Sequence, residues 1–274
     1  PTGRQVKVKV VDVVTGKGVK SAKLSVADTE AKTDDNGDAT IVLPADKDSQ
    51  DAKISSDGFN TATSTIKVVE GDTVAVENTI SVTPAGKIYF LSKRTGKINV
   101  MKSDLDGKNA TVVLAATGNE DDGDTILLAS QDWMYLALKS KRDGASKPAS
   151  LYLIDTANND KLTTMDEGNA TFTLTGWSNH TFVYQVQRDS VKDWQPNRQS
   201  LKSYNAENAK LNVLDNTGGE GSGNATYYGT DYKAEYFGSV ILVGNVLTYS
   251  KAWIAGIYTP GGEQLAGKQS GIYS

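Results

Sequence analysis

The sequence predicts an all-β protein, a small N-terminal β-sandwich followed by a C-terminal β-propeller of about four blades whose ring is incomplete. Three observations predict it. Apolar and polar residues alternate with a period of two, which sends one side of each strand into a core and the other into water. Helical periodicity is absent along the whole chain. Beyond residue 86, strand-like segments recur at a spacing near 50 residues, the length of a four-stranded propeller blade.

In the N-terminal segment, Val6, Val8 and Val10 alternate with polar residues, and so do Ala22, Leu24 and Val26, then Ala39, Ile41 and Leu43. Ile54, residues 65–69 and residues 74–82 supply further strands. Between them lie Thr15-Gly16-Lys17-Gly18, Asp35-Asn36-Gly37-Asp38 and Asp57-Gly58, where Gly or Asn accepts the positive φ of tight turns. About seven short strands at this spacing read as a sandwich. Thr83-Pro84-Ala85-Gly86 reads as a linker, because Pro lacks the donor that a central strand needs. The expected domains are therefore residues 1–84 and 85–274.

After the linker, Lys97–Met101, Ser150–Ile154, Ser200–Tyr204 and Gly271–Tyr273 align as equivalent strands. Ile98, Leu151 and Leu201 are 53 and 50 residues apart, and Ile272 follows 71 residues later, after a longer insertion. With strands A to D counted outward from the axis, residues 86–115 supply B, C and D. The next two blades are complete, and the fourth has A, B and the start of C. Blades with open ends expose unpaired strand edges. The expectation is that the natural chain continues past Ser274, that the blades form a curved open array, or that they pair with another chain.

Two resemblances accompany this reading. Asp12 to Gly16, Ala22-x-Leu24-x-Val26, Thr33-Asp34-x-Asn36-Gly37 and Ser56-Asp57-Gly58-Phe59 together resemble a carboxypeptidase regulatory-like domain, the transthyretin-like sandwich related to PEGA modules, over residues 4–83. That resemblance implies an accessory module of secreted or surface-anchored bacterial proteins, without catalytic residues to carry over. Gly86 to Phe90 and Asp104-Leu105-Asp106-Gly107 resemble the short motifs of TolB-like and WD40-like propeller repeats, and the repeat pattern extends that resemblance over residues 86–274.

In a propeller, D-to-A and B-to-C connections emerge on one face and the others on the opposite face. The A-to-B turns (130–132, 178–180, 244–245) and C-to-D turns (104–109, 155–160, 205–209) are short. The B-to-C loops (139–149, 188–199, 255–270) and D-to-A loops (116–124, 215–237) are long, and elaborated loops on a rigid scaffold are where binding usually resides. This face carries the candidate binding aromatics Trp194, Tyr227, Tyr228, Tyr232 and Tyr258, together with Tyr236. Rings with an apolar face and a polar tip suit sugars and protein partners alike. The same rings could instead fold back over the blade edges. The B-to-C loops bear Lys139, Lys141, Arg142, Lys147, Arg188, Lys192 and Arg198, and the D-to-A loops bear Glu120, Asp121, Asp122 and Asp124, a mixture that a solvated face also explains.

Several chemistries find no support. There is no Cys, which excludes disulfides, Cys-ligated metals and a thiol nucleophile, and the single His makes a zinc site improbable. That residue, His180, reads as a surface turn on the short-turn face with no readable Ser-Asp pairing. Asp34, Asn36 and Asp38, or Asp104, Asp106 and Asn109, offer oxygens at alternate spacing but lack an EF-hand loop, and they read as turn residues. Gly218 to Gly223 reads as a mobile insertion. Asn109, Asn169, Asn179 and Asn224 each begin an Asn-x-Thr triplet, the acceptor pattern for N-glycosylation, which repeat grammar alone would also produce.

The net charge is -4 with no concentration of Lys and Arg, so nucleic acid is not an expected partner, and no apolar run approaches the roughly 18 residues that cross a bilayer. No cofactor, metal or catalytic residue is expected. The leading expectation is a non-catalytic module, extracellular or envelope-associated by resemblance, binding a cell-surface glycan or protein through the long-loop face. Two alternatives stay open: an accessory propeller region of a larger peptidase or glycosidase whose catalytic part lies elsewhere, and a structural spacer.

Overall fold

The computed structural model describes residues 3–44, 48–68, 77–226, 229–255 and 271–273, and every regular element among them is a β-strand. The strands are β1 (Gly3–Asp12), β2 (Lys23–Val26), β3 (Thr29–Lys32), β4 (Asp38–Pro44), β5 (Ser49–Ser55), β6 (Ala62–Lys67) and β7 (Glu77–Val82). They continue with β8 (Ile88–Ser92), β9 (Asn99–Ser103), β10 (Thr111–Leu114), β11 (Ile126–Ala129), β12 (Tyr135–Ser140), β13 (Ser150–Asp155) and β14 (Lys161–Asp166). The remainder are β15 (Ala170–Ser178), β16 (Thr181–Arg188), β17 (Gln199–Asn205), β18 (Lys210–Asn216), β19 (Gly219–Thr226), β20 (Gly229–Val243), β21 (Val246–Ala255) and β22 (Gly271–Tyr273). Two compact units result, residues 1–89 with 101–112, and residues 90–100 with 113–274.

The first unit contains a sandwich of two sheets, β4-β1-β7 and β3-β2-β5-β6. The alternation read from the sequence fixes its core: Val6, Val8 and Val10 of β1 meet Leu24, Val26, Ile41, Leu43, Ile54, Ile66, Ile80 and Val82, all nearly inaccessible to solvent. β1 pairs antiparallel with β4 and parallel with β7. The turn before β4 works as the residue types demand. Asp34 Oδ1 accepts the amides of Asn36 and Asp38, and Gly37 takes φ +83° while its amide approaches Asp34 O. This turn lies directly on Gly18, where an added Cβ would stand 1.9 Å from Asn36 O, so no other residue fits at position 18 without backbone movement.

The described residues from 86 onward form blade-like antiparallel sheets: a three-stranded first blade in the order β10-β9-β8, then four-stranded blades β11-β12-β13-β14, β15-β16-β17-β18 and β19-β20-β21-β22. Within the second unit, side-chain parity dictates how blades stack. In β16, Phe182, Tyr184 and Val186 join Tyr135, Ala137, Leu151 and Leu153 of the second blade in one core. Val183 of β16 and Leu201 of β17 point the other way, against Phe237, Val240, Leu242, Leu247 and Tyr249 of the fourth blade. The third blade is thus apolar on both faces. On the fourth blade, Ile241, Val243, Val246 and Ile272 are more than half exposed.

A polar latch repeats across these seams. Tyr184 OH donates to Asp166 Oδ2 at 2.9 Å and Lys202 Nζ lies 2.6 Å from the same oxygen. One blade on, Tyr249 OH donates to Asp215 Oδ2 at 3.0 Å and Lys251 Nζ stands 3.3 Å from it. Asp166 and Asp215 each sit beside a register shift opposite β13 and β17, which explains why both turn toward the following blade. Burial, reinforced by the Asp166 charge, drives the Tyr184 hydroxyl far above its ordinary range, and the corresponding pressures raise Tyr249 to about 12.

The fourth blade departs from the sequence reading. Gly218 to Gly223 is not a mobile insertion: Gly219 opens β19, which pairs with β20, and the expected 215–237 loop is largely these two strands. β20 is 15 residues long and pairs with β21 on both sides of a shift between Phe237 and Val240, so the expected A and B strands are the distal halves of longer ones. Period-two alternation is hard to see here because the run is Gly-rich and bulged.

Candidate functional site

A first hollow, about 480 Å³, lies on the outer face of β4-β1-β7, where Lys9 and Asp38 pair across strands at 3.3 Å. The second, about 400 Å³, lies on the long-loop side of the second and third blades. The third, about 440 Å³, lies on their short-turn side and is lined by Gln131, Asp132, Asn179, His180 and Glu207. The long-loop cleft is the candidate binding site, because residues of the loops before β13, before β15 and after β16 converge on it and are held by rigid sheets.

Its floor is organised by charge. Lys139, at the end of β12, is buried to 8 % exposure and sits 3.2 Å from Asp124. Lys141 reaches Asp124 at 2.7 Å and Asp121 at 3.0 Å. The hydrogen bonds it donates to these two carboxylates hold the Lys141 ammonium above its ordinary range, and Lys141 in turn holds Asp124 and Asp121 below theirs. Asp121 is fixed independently, because its Oδ1 accepts the amides of Gly123 and Asp124. Further along, Glu120 is nearly buried, 3.6 Å from Arg142, and caps the amides of Thr117 and Gly118. Burial opposes the Glu120 charge, but those amide hydrogen bonds outweigh it and keep the acid ionised. The opposite charges of the D-to-A and B-to-C loops therefore interlock rather than standing apart in solvent.

Above this floor the cleft offers exposed Ser146, Lys147 and Pro148 from the loop between β12 and β13, Asn169 from the turn before β15, Thr171 from β15 itself and Asp189 from the loop after β16. Ala170 and Phe172 are buried beneath them. The arrangement presents donors and acceptors of both signs around a small apolar patch. It suits a ligand that is itself dense in hydroxyls or amides.

Of the sequence-predicted binding aromatics, Trp194 is the one whose surroundings are described. It lies in the loop between β16 and β17, half-buried, with its backbone packed where a Cβ on Gly219 would come within 2.6 Å. Tyr232 falls on strand β20 rather than in a loop, and its side chain is outside those described; Tyr227, Tyr228 and Tyr258 lie outside the described residues altogether. Tyr236 also lies on β20, under the Arg198 guanidinium at 5.9 Å. The cleft lines itself instead with Lys139, Lys141, Lys147, Asn169 and Asp189, of which the three lysines stood out in the sequence as part of a loop charge tally and Asn169 as the start of an Asn-x-Thr triplet, while Asp189 did not stand out.

On the opposite side, His180 is more than a solvated turn residue. Its Nδ1 lies 2.7 Å from Glu207 Oε1 and its Nε2 2.7 Å from Asp132 Oδ2. Ser130 Oγ donates to Asp132 Oδ1 at 2.8 Å, so the serine meets the carboxylate and not the imidazole, an order unlike a nucleophilic triad. Partial burial opposes the Asp132 charge, yet hydrogen bonds from His180, Ser130 and the Met134 amide win and lower it to about 2. Hydrogen bonds to the carboxylates of Asp132 and then Glu207 raise His180 above its ordinary value. The turn that aims Asp132 holds Trp133 at φ +63°, its strained backbone tied by Trp133 N to Ser130 O and by Thr156 Oγ1 to Trp133 O.

The oxygen-rich turns are likewise built as turns. Asp104 accepts from Lys87 Nζ and from Asn109 Nδ2, and Asp106 accepts the Lys108 amide, which commits these groups to local structure. No group of three or more potential metal ligands occurs among the described residues. No helix among the described residues is long and apolar enough to cross a membrane.

No family model matches the sequence, and no curated protein matches it. Among solved structures, the chain is similar to a protein assigned as TolB of Agrobacterium tumefaciens, at 10 % identity over 78 % of this chain and 82 % of that one, with a TM-score of 0.33. An oligogalacturonate lyase in complex with manganese aligns at 12 % identity over 78 % and 74 %, TM-score 0.33. A puromycin-hydrolysing peptidase of Mycobacterium tuberculosis aligns at 13 % identity over 88 % of this chain but 33 % of its own length, TM-score 0.35. At these values the architecture rests on the chain's own sheets, which are those of an all-β protein with propeller-like blades.

Proposed function

We propose that this chain is a non-catalytic, secreted or cell-envelope module that binds glycan or protein through the long-loop face of its propeller-like unit. The observation that supports the reading best is the cleft of about 400 Å³ whose rim carries Ser146, Lys147, Asn169 and Asp189 over a floor of mutually neutralised charges. A floor locked in ion pairs is preorganised, so a ligand need not order it on binding. Residues 1–84 are read as the carboxypeptidase regulatory-like sandwich and residues 85–274 as the propeller region, a reading supported by the two-sheet aliphatic core of the first and the blade order of the second. The extracellular setting rests on that same family resemblance.

The test is thermal unfolding of the purified chain against a panel of oligosaccharides, cell-wall fragments and peptides. A ligand at about a hundred times its dissociation constant adds ~2.7 kcal/mol of stability. Binding at the cleft predicts a saturable shift with one ligand class that is lost in both Asn169→Ala and Asp189→Ala. A shift that survives both substitutions moves the site elsewhere, and no shift with any class favours a spacer or an accessory region of an enzyme.

A further inference from the structure

We propose that protonated His180 is a pH-sensitive clamp that ties the second blade to the third at the short-turn edge of their seam. His180 stands in the turn between β15 and β16, Glu207 in the turn between β17 and β18 of the same blade, and Asp132 in the turn between β11 and β12 of the neighbouring blade. Both ring nitrogens are engaged at 2.7 Å by carboxylate oxygens. An ionised carboxylate can only accept, and a neutral imidazole carries a single N–H, so both contacts are hydrogen bonds only when the ring is an imidazolium. With both carboxylates ionised, this geometry calls for the charged form of the ring.

The two carboxylates at the ring favour that proton and outweigh its partial burial, which opposes it. Asp132 and Glu207 hold the nitrogens, and Tyr135 of β12 meets the ring edge-on at 5.0 Å between centroids. Asp155, at the end of β13, acts on the Tyr135 hydroxyl as a further negative charge on this side of the seam. The clamp also sits over the aromatic part of the junction, where Trp177 stacks on Tyr135 at 6.4 Å and its Nε1 donates to Leu128 O at 3.0 Å. Loss of the proton leaves one carboxylate facing a nitrogen lone pair, which replaces attraction by repulsion at the point where the blades meet. Because the folded value is raised, the stabilisation is complete below the ordinary histidine value of about 6.5 and is lost as pH rises through the higher folded value.

The chain contains one histidine, so its imidazole signals in nitrogen-detected NMR belong to His180 without further assignment. The expected result at pH 7 is a ring protonated on both nitrogens, with a titration midpoint above that of free histidine. Asp132→Asn and Glu207→Gln should each lower the midpoint, Asp132→Asn by more. In parallel, thermal stability should decline through that midpoint in the natural chain, and His180→Gln should abolish that alkaline decline. A midpoint at or below about 6.5, a midpoint unmoved by either substitution, or an alkaline decline that persists in His180→Gln overturns the proposal. None of these readouts depends on a ligand, so the clamp stands or falls independently of the binding function.

Discussion

The sandwich and the blades solve the same problem with different materials. The sandwich interior is aliphatic: among the described residues, no charged side chain is buried between Val6 and Val82, and the buried polar node is Thr33, whose hydroxyl donates to Val19 O and accepts the Ala22 amide. The seams between blades place ions beside their apolar cores. Lys202 and Lys251 are 7 % and 8 % exposed, each committed to an aspartate of the preceding blade. Aliphatic burial is non-directional and fixes only which side of a strand faces in. A tyrosine hydroxyl and an ammonium converging on one carboxylate add direction, and so constrain how far one sheet slides over the next.

This contrast orders the expected effects. Asp166→Ala leaves the Lys202 ammonium buried without its partner, which should cost about 4 kcal/mol in denaturant unfolding. Replacing both members, Asp166→Leu with Lys202→Met, should recover most of that loss, because the expense lies in the unpaired charge; failure to recover would show that the latch sets blade geometry as well. In the sandwich, Leu24→Ala removes a fully buried side chain and should cost about 3 kcal/mol, with no comparable rescue from a second polar substitution. Smallest is Tyr249→Phe, which deletes one hydroxyl while Lys251 still faces Asp215, for an expected loss of about 1 kcal/mol. An effect of Tyr249→Phe as large as that of Asp166→Ala would erase the distinction between the latch's charge and its hydroxyl.

Much of this organisation was legible in the sequence because it depends on neighbours in the chain. The valines of β1, the Asx turn at Asp34 and the short hairpins at 130–132, 178–180 and 205–209 each follow from residues within a few positions. The fourth blade was not, since Gly219 to Thr226 pairs with β20 without the side chains that usually announce a strand. The cleft was legible only as a tendency of long loops to share a face. Lys139 and Asp124 are 15 positions apart, and nothing in either loop shows that one would neutralise the other.

The sequence by itself determined the strand periodicity, the apolar sides of the strands and the positions of most turns. Those properties are local, set by φ preferences and by which side of a two-residue period is apolar. Only the tertiary structure decided that His180 would meet Asp132 from 48 residues away, and that Tyr184 and Tyr249 would each find the aspartate of the blade before. A charge seeks the nearest opposite charge in space, and that distance exists only after the sheets have stacked.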